Sequence, residues 1–295
     1  MNRREPDWSL YRSFLAVVRE GSLSAAARAL GLTQPTIARH IAALEQSIGL
    51  ELFVRSQRGL SPTEGALELK PYAESLAATA AAMMRTAFGQ GRAVKGTVRV
   101  SASEIVGAEV LPPIFARLRQ RHPQLEIELV LSNSVDNLLR READIAVRMV
   151  EPAHEALVIK RIGTVALGLH AHRSYLNRAG RPRTFHGLRN HTLIGFDRET
   201  PEIRSMRERV QGLAAVHFAF RTDSDIAQLM AIRAGLGIGL CQVALARRDP
   251  NFERVLPGVR LDLGVWLAMH ENLRSTPRCR AVFNGLAAGL TSHVD

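Results

Sequence analysis

The sequence predicts an α/β protein in three successive parts: an N-terminal winged helix-turn-helix, a long linker helix and a larger α/β domain. Three observations carry this. Residues 22–45 hold two short amphipathic helical patterns around a glycine, residues 63–88 carry one long helical pattern with a narrow apolar stripe, and from Thr97 onward short β-rich runs alternate with helical ones.

Trp8 to Glu20 reads as the first helix, with Leu10, Phe14 and Val17 or Val18 as its inner stripe before Gly21. In the stretch SLSAAARALGLTQPTIARHIAALE, residues Leu23, Ala26, Ala27 and Leu30 recur at helical spacing, and the alanines let a second helix approach closely. Gly31 suits a left-handed helix stop, Thr33 offers an N-cap hydroxyl, and Pro35 lies in the first turn, where no N–H is missed. Ile37, Ile41 and Leu44 then face inward, while Pro35, Thr36, Arg39 and Ala42 face away. A helix that shows Gln34, Thr36 and Arg39 suits the DNA major groove, where Gln reads adenine edges and Arg reads guanine edges. Taken alone, the stretch also fits a helical hairpin in an unrelated core, with Arg39 a solvated charge.

Residues 51–62, ELFVRSQRGLSP, alternate briefly and turn through a Ser-Gln-Arg-Gly tip to end at Pro62, the pattern of a wing. Arg55 and Arg58 flank that tip, placed for phosphates or a minor groove. The ordered A-A-A-R-A-L helix, T-Q-P-T-I-A-R turn, L-E-x-x-I-G-L-x-L-F-x-R run and R-G wing tip together resemble the N-terminal domain of LysR-type transcriptional regulators. Ala38 stands where that family often carries Ser, and T-E-G is one residue shorter than the usual T-E-A-G. The resemblance implies DNA binding through Gln34, Pro35, Thr36, Arg39, Arg55 and Arg58.

From Thr63 to Phe88, Leu69, Tyr72, Leu76, Ala80, Met83 and Ala87 alternate at threes and fours, a seam that one helix buries against a copy of itself. Pro71 is a candidate kink. In the family the corresponding helix mediates dimerisation, which implies a homodimer or homotetramer. FGQGRAVKG, residues 88–96, reads as a linker.

The runs TVRVSA, LEIELVL, DIAVRM, LVIKRI, VALGLHA, TLIGF, AVHFAF, GIGLC and LGVWLAMH, with helical stretches between them such as 223–234 and 277–290, predict a parallel sheet covered by helices. G-T-V-R-V-S-A-S-E, the L-P-P-I-F-A-R-L-R-Q-R-H-P-Q-L-E-I-E-L run and R-R-E-A-D-I-A-V-R make this region similar to the LysR-type effector domain, whose fold resembles type 2 periplasmic binding proteins. The implied division is 1–62 for the DNA-binding domain, 63–92 for the linker and dimerisation helix, and 93–295 for the effector domain. Within the last, subdomain I takes 93–163 and 268–295 and subdomain II takes 164–267, with chain crossings near Gly163 and Trp266. A small-molecule effector would lie between them.

Ligands of open α/β sheets collect at strand ends, beside free helix N–H groups. Ser101 and Ser103 follow the first strand of this domain, Asn133 the second and Arg148 the third; Phe196 ends a later strand, and Thr222 with Asp223 precedes a helix. These are the candidate effector contacts, with Arg148 suited to a carboxylate. Ser103 and Asp223 are equally plain helix caps.

No G-x-S-x-G, H-E-x-x-H or G-x-x-x-x-G-K-[ST] occurs, so no catalytic residue, metal or cofactor is expected. Gly235, Gly237 and Gly239 sit between a helix and a strand, the reverse of a dinucleotide loop, and read as a helix stop with close strand packing. His170 and His172 lack further ligands in sequence, and Cys241 and Cys279 are isolated, small buried hydrophobes rather than a disulfide or zinc pair.

The formal charge of +11 is unevenly spread: residues 1–92 hold 11 basic and 8 acidic residues, and the remainder holds 28 and 20. The DNA reading therefore rests on the helix-turn-helix, while the basic second half favours an anionic effector. No run nears the ~20 apolar residues that span a bilayer, and MNRREPDWSL has no apolar secretory core, so no membrane partner and a cytoplasmic site are expected. Double-stranded promoter DNA and a small-molecule effector are the expected partners, with RNA polymerase as a further one for a transcription regulator. The competing class is a solute-binding or catalytic α/β protein that uses its N-terminal helices only to oligomerise.

Overall fold

A computed structural model describes residues 5–56, 59–88, 93–133, 143–152, 157–209 and 217–294. The chain forms two compact units, the first ending at Met84 and the second beginning at Arg85.

In the first unit α1 (Trp8–Glu20), α2 (Leu23–Leu30) and α3 (Gln34–Ile48) are each opened by a side-chain cap: Asp7 accepts from the Ser9 N–H, Ser22 from that of Ala25 and Thr33 from that of Thr36. Gly31 closes α2 at φ 66°, the left-handed turn that the sequence asks for. Phe14, Val17, Ala26, Ile37, Leu44 and Leu52 pack into one core, and the Phe14 and Phe53 rings lie 5.8 Å apart. Strands β1 (Phe53–Ser56) and β2 (Gly59–Pro62) form the antiparallel wing, which the Leu60 N–H ties to the Gly21 carbonyl at 2.9 Å. Helix α4 (Glu64–Phe88) runs through Pro71. Its Ala66 and Ala73 are buried in the same core, whereas Tyr72, Leu76 and Met83 of the expected seam are exposed. Ala87, the last seam position, has its side chain outside the described residues.

In the second unit β3 (Gly96–Ala102) is followed by a π-helical turn, Val106–Val110, that leads into α5 (Leu111–Arg121). After β4 (Leu125–Leu131) and β5 (Ile145–Arg148) comes β6 (Leu157–His172). Helix α6 (Arg173–Ala179), β7 (Ile194–Gly195), α7 (Pro201–Glu208), β8 (Phe220–Arg221), α8 (Asp225–Arg233), β9 (Ile238–Gln242), α9 (Val243–Ala246) and β10 (Phe252–Val255) follow. Strand β11 (Leu261–His270) and α10 (Pro277–Leu290) complete the order.

The main sheet runs β10-β6-β11-β5-β3-β4, with β9 also on β6. It is mixed, not the parallel sheet expected: β3 pairs in parallel with β4 and β5, whereas β6, β9, β10 and β11 pair antiparallel. The expected runs LVIKRI and VALGLHA are one strand, because Gly163 and Thr164 continue the ladder opposite Val265 and Gly264. Residues Leu157–Arg161 of β6, with β3, β4, β5, α5 and α10, build lobe one around Val100, Leu111, Ile145, Leu267, Phe283 and Leu286. The later half of β6, with β9 and β10, carries lobe two, whose clusters include Leu169, Tyr175, Ile194, Leu229 and Ile238. At the crossing the register slips between Val265 and Trp266, and the Arg161 guanidinium lies 5.8 Å from the Trp266 ring.

Two expected strands shrink to two residues each, TLIGF to β7 and AVHFAF to β8, which pair with each other, and Leu193 just before β7 bridges to Ile238 of β9; residues 210–216 lie outside the described set. Gly235 stands after α8 at φ 72°, and a Cβ on Gly237 would clash with the Thr192 carbonyl oxygen, as a helix stop followed by close packing requires. No helix among the described residues is long and apolar enough to cross a membrane.

Candidate functional site

The first unit presents the N-terminal half of α3. Gln34, Pro35 and Arg39 are exposed and Thr36 is half-buried, its hydroxyl 2.8 Å from that of Thr33. Ile37, Ile41 and Leu44 hold the opposite stripe in the core, so α3 cannot rotate without expelling them. Gln34 Oε1 accepts from the Ser24 hydroxyl at 3.0 Å, which sets the side chain's direction from the neighbouring helix. A shallow hollow lined by Ser22, Ser24, Gln34, Arg55 and Leu60 joins this helix end to the wing. Arg55 is exposed there; Arg58 lies outside the described residues. The sequence gives no signal for Ser24, because its contact is made across the turn, ten residues away.

The second unit holds a cavity of about 240 Å³ between its lobes. Lobe one supplies Ser103, Asn133 and Arg148; lobe two supplies Phe196, Met206, Asp225 and Gln228. Arg148 ends β5 and is 3% exposed. It donates through Nη2 to the Ser101 hydroxyl at 2.8 Å and through Nη1 to its neighbour's carbonyl, that of Val147, at 3.0 Å, while buried Nε has no hydrogen-bond partner. Burial lowers this guanidinium to about 10, so it remains a cation at neutral pH. No carboxylate among the described residues forms an ion pair with it. A buried charge of this kind is costly unless something compensates it. Ser103 Oγ, on the same cavity, is likewise buried and unpartnered.

Across the cleft Asn133 Nδ2 donates to Asp225 at 3.0 Å, and Glu104 accepts from the Ser224 hydroxyl at 2.9 Å and from the Ile226 N–H at 3.2 Å. Arg233 donates to both oxygens of Glu109, at 2.6 and 2.9 Å. The lobes are thus latched by side chains as well as by strands.

Residues 91–290 match the family model of the LysR substrate binding domain, and residues 8–67 match that of the bacterial regulatory helix-turn-helix proteins of the lysR family. The chain belongs to the LysR family. Members are DNA-binding transcription regulators rather than enzymes, and this protein is a DNA-binding transcription regulator of that type. It is 28% identical over 265 residues to the probable HTH-type transcriptional regulator LtrA of Klebsiella pneumoniae, covering 85% of this chain and 82% of that protein. Its fold is similar to full-length CbnR in complex with its target DNA, at a TM-score of 0.64 and 20% identity over 96% of this chain and 99% of that one. It is similar too to the Vibrio cholerae virulence activator AphB, at 0.62 and 23% over 96% and 99%.

Of the effector candidates in this LysR-type regulator, Ser103, Asn133, Arg148 and Phe196 line the one cleft. Three others lie elsewhere. Ser101 is fully buried beneath Arg148 and acts on it from behind. Thr222 Oγ1 accepts from the Ser224 N–H, and Asp223 accepts from the N–H groups of Asp197 and Arg198, because the α8 cap falls on Ser224 one residue later than expected. Sequence reasoning missed Asp225 and Gln228. Asp225 had a usable signal, an acidic first-turn residue of α8, but its facing partner Asn133 is 92 residues away.

His170 is buried with Nδ1 at 2.9 Å from the Gly168 carbonyl, and His172 caps α6 through the Ser174 N–H. Among the described residues no cluster of His, Cys, Asp and Glu could hold a metal ion.

Proposed function

We propose that this LysR-type regulator binds operator DNA in the major groove through Gln34, Pro35, Thr36 and Arg39, with Arg55 and Arg58 on adjacent phosphates or the minor groove, and that it answers a small anion. The anion sits between the lobes of the second unit against Arg148 and Ser103. The single observation that supports it is the buried Arg148: a cation facing a cavity, with its Nε unpartnered and no carboxylate partner among the described residues. The exposed Tyr72, Leu76 and Met83 of α4 support assembly as a homodimer, or a tetramer of two such pairs. The protein works in the cytoplasm, has RNA polymerase as a downstream partner and catalyses no reaction.

Footprinting on the DNA upstream of its own gene tests this, at low and moderate salt, with and without small carboxylates. Protection of a defined site that shifts when a carboxylate is added is the expected result. Uniform, sequence-independent retardation, or turnover of a small acid by a protein with no DNA preference, overturns it.

A further inference from the structure

A second cavity, of about 230 Å³, opens inside lobe two beside the cleft. Phe196, Met206, Gln228 and Leu240 line both, and their side chains turn about single bonds. The floor of the second cavity is the buried set Leu169, Leu188, Leu193, Ile194 and Ile238. Its charged residues, Asp197, Arg198, Glu199 and Arg221, are exposed; Arg221 pairs with Asp197 at 3.6 Å, and Arg198 pairs outside the cavity with Asp223 at 3.3 Å. The cleft is built the same way: beyond Ser103, Asn133, Arg148, Asp225 and two glutamines its walls include Ile105, Met149, Leu167, Leu229, Leu245 and Leu263. A compact polyanion would put its further charges against these leucines, at a large desolvation cost.

We infer that the effector is an amphipathic monocarboxylate: its head meets Arg148 Nε and Ser103 Oγ, and its apolar body runs past Phe196 and Met206 onto the floor of the second cavity. This rests on the reading of the cleft as the effector site. The orphaned polar atoms of the cleft account for a single charged head, and the apolar floor of the adjoining cavity accounts for a long tail. Specificity then comes from tail length, because a carboxylate alone satisfies both polar atoms left without a partner at the cleft, Arg148 Nε and Ser103 Oγ.

Calorimetric titration of the full chain with butanoate, hexanoate, octanoate and decanoate, with 1-octanol and succinate beside them, tests the inference. Affinity is expected to rise roughly two- to fourfold per methylene, with 1-octanol and succinate both much weaker than octanoate. Ile203→Trp, which fills the second cavity from its half-buried rim position, should flatten the series beyond hexanoate and leave butanoate unchanged. A flat series in the wild-type protein, with carboxylate binding still lost in Arg148→Gln, overturns the tail and keeps the cleft. Octanol binding as tightly as octanoate overturns the head. No binding at any length overturns both the cleft reading and this inference. Should Ile203→Trp fail to fold, as its circular dichroism would show, the wild-type series decides alone.

Discussion

Asn133 Nδ2 lies 3.0 Å from Asp225 Oδ2 and joins lobe one to lobe two at the cleft. Burial raises the Asp225 carboxyl to about 6; the Asn133 bond works against that rise and the nearby Glu104 charge adds to it. Between about pH 3.8 and pH 6 the folded protein therefore holds a proton here that the unfolded chain, with its ordinary value of 3.8, has already released.

The stabilising contribution of that proton is fully present below about 3.8 and is lost as pH rises through about 6. Asp225→Asn, which cannot titrate, should gain on the wild-type protein between pH 5 and pH 8 by about 1–2 kcal/mol in urea unfolding. Parallel stability profiles for the two proteins would show that Asp225 titrates normally.

Glu109, in the π-helical turn, is held below its usual range first by its hydrogen bonds from Arg233. Its contribution is present at neutral pH and disappears as pH falls through that lowered value. A double-mutant cycle of Glu109→Gln with Arg233→Gln should give a coupling of about 1 kcal/mol, since the pair is bidentate yet partly exposed. Zero coupling would leave the lobes held by Asn133, Glu104 and the strands.

Arg148→Met should cost little stability in the absence of effector, and can raise it by about 1 kcal/mol, because it removes a buried charge that lacks a carboxylate partner. The same variant should keep basal operator binding and lose the response to carboxylates. Marked destabilisation in thermal melts, with the response intact, would make Arg148 a strut for Ser101.

Arg39→Ala should lower discrimination between operator and random DNA by about 1–3 kcal/mol. Arg55→Ala should weaken both complexes alike and reduce the slope of log K against log salt by about 1. Filter binding at several salt concentrations separates the two, and identical behaviour of the variants would remove the division between helix and wing.

Burial pushes the Cys241 thiol up to about 12, and Cys279 is fully buried. Neither should react with a thiol reagent in the native protein within the time that denatured protein reacts completely. Rapid labelling of Cys241, which lines the cleft, would instead reveal a reactive thiol at the effector site.

The first unit was legible because its signals are local. Ser22, Thr33 and Pro35 mark helix starts within four residues of the N–H groups that they satisfy or spare, and Ile37, Ile41 and Leu44 repeat at the helix period. The strand ends of lobe one are legible for the same reason, and they carry Ser103, Asn133 and Arg148. Lobe two was harder. The caps of α8 are three consecutive polar residues, Thr222, Asp223 and Ser224, and only the fold decides which of them begins the helix. The union of two apolar runs into β6 depends on β11, about a hundred residues later, and a π-helical turn leaves no mark in the amino-acid pattern.

Because β6 and β11 each belong to both lobes, the two halves share one continuous ladder from Leu157–His270 at one end to Leu167–Leu261 at the other. Neither half can be excised as an independent module: a gene cut at Gly163 would leave each fragment with a severed strand and bare backbone donors. The second unit should accordingly melt in a single step, and bending between its halves has to be absorbed by twisting at the Val265–Trp266 slip while the ladder stays whole.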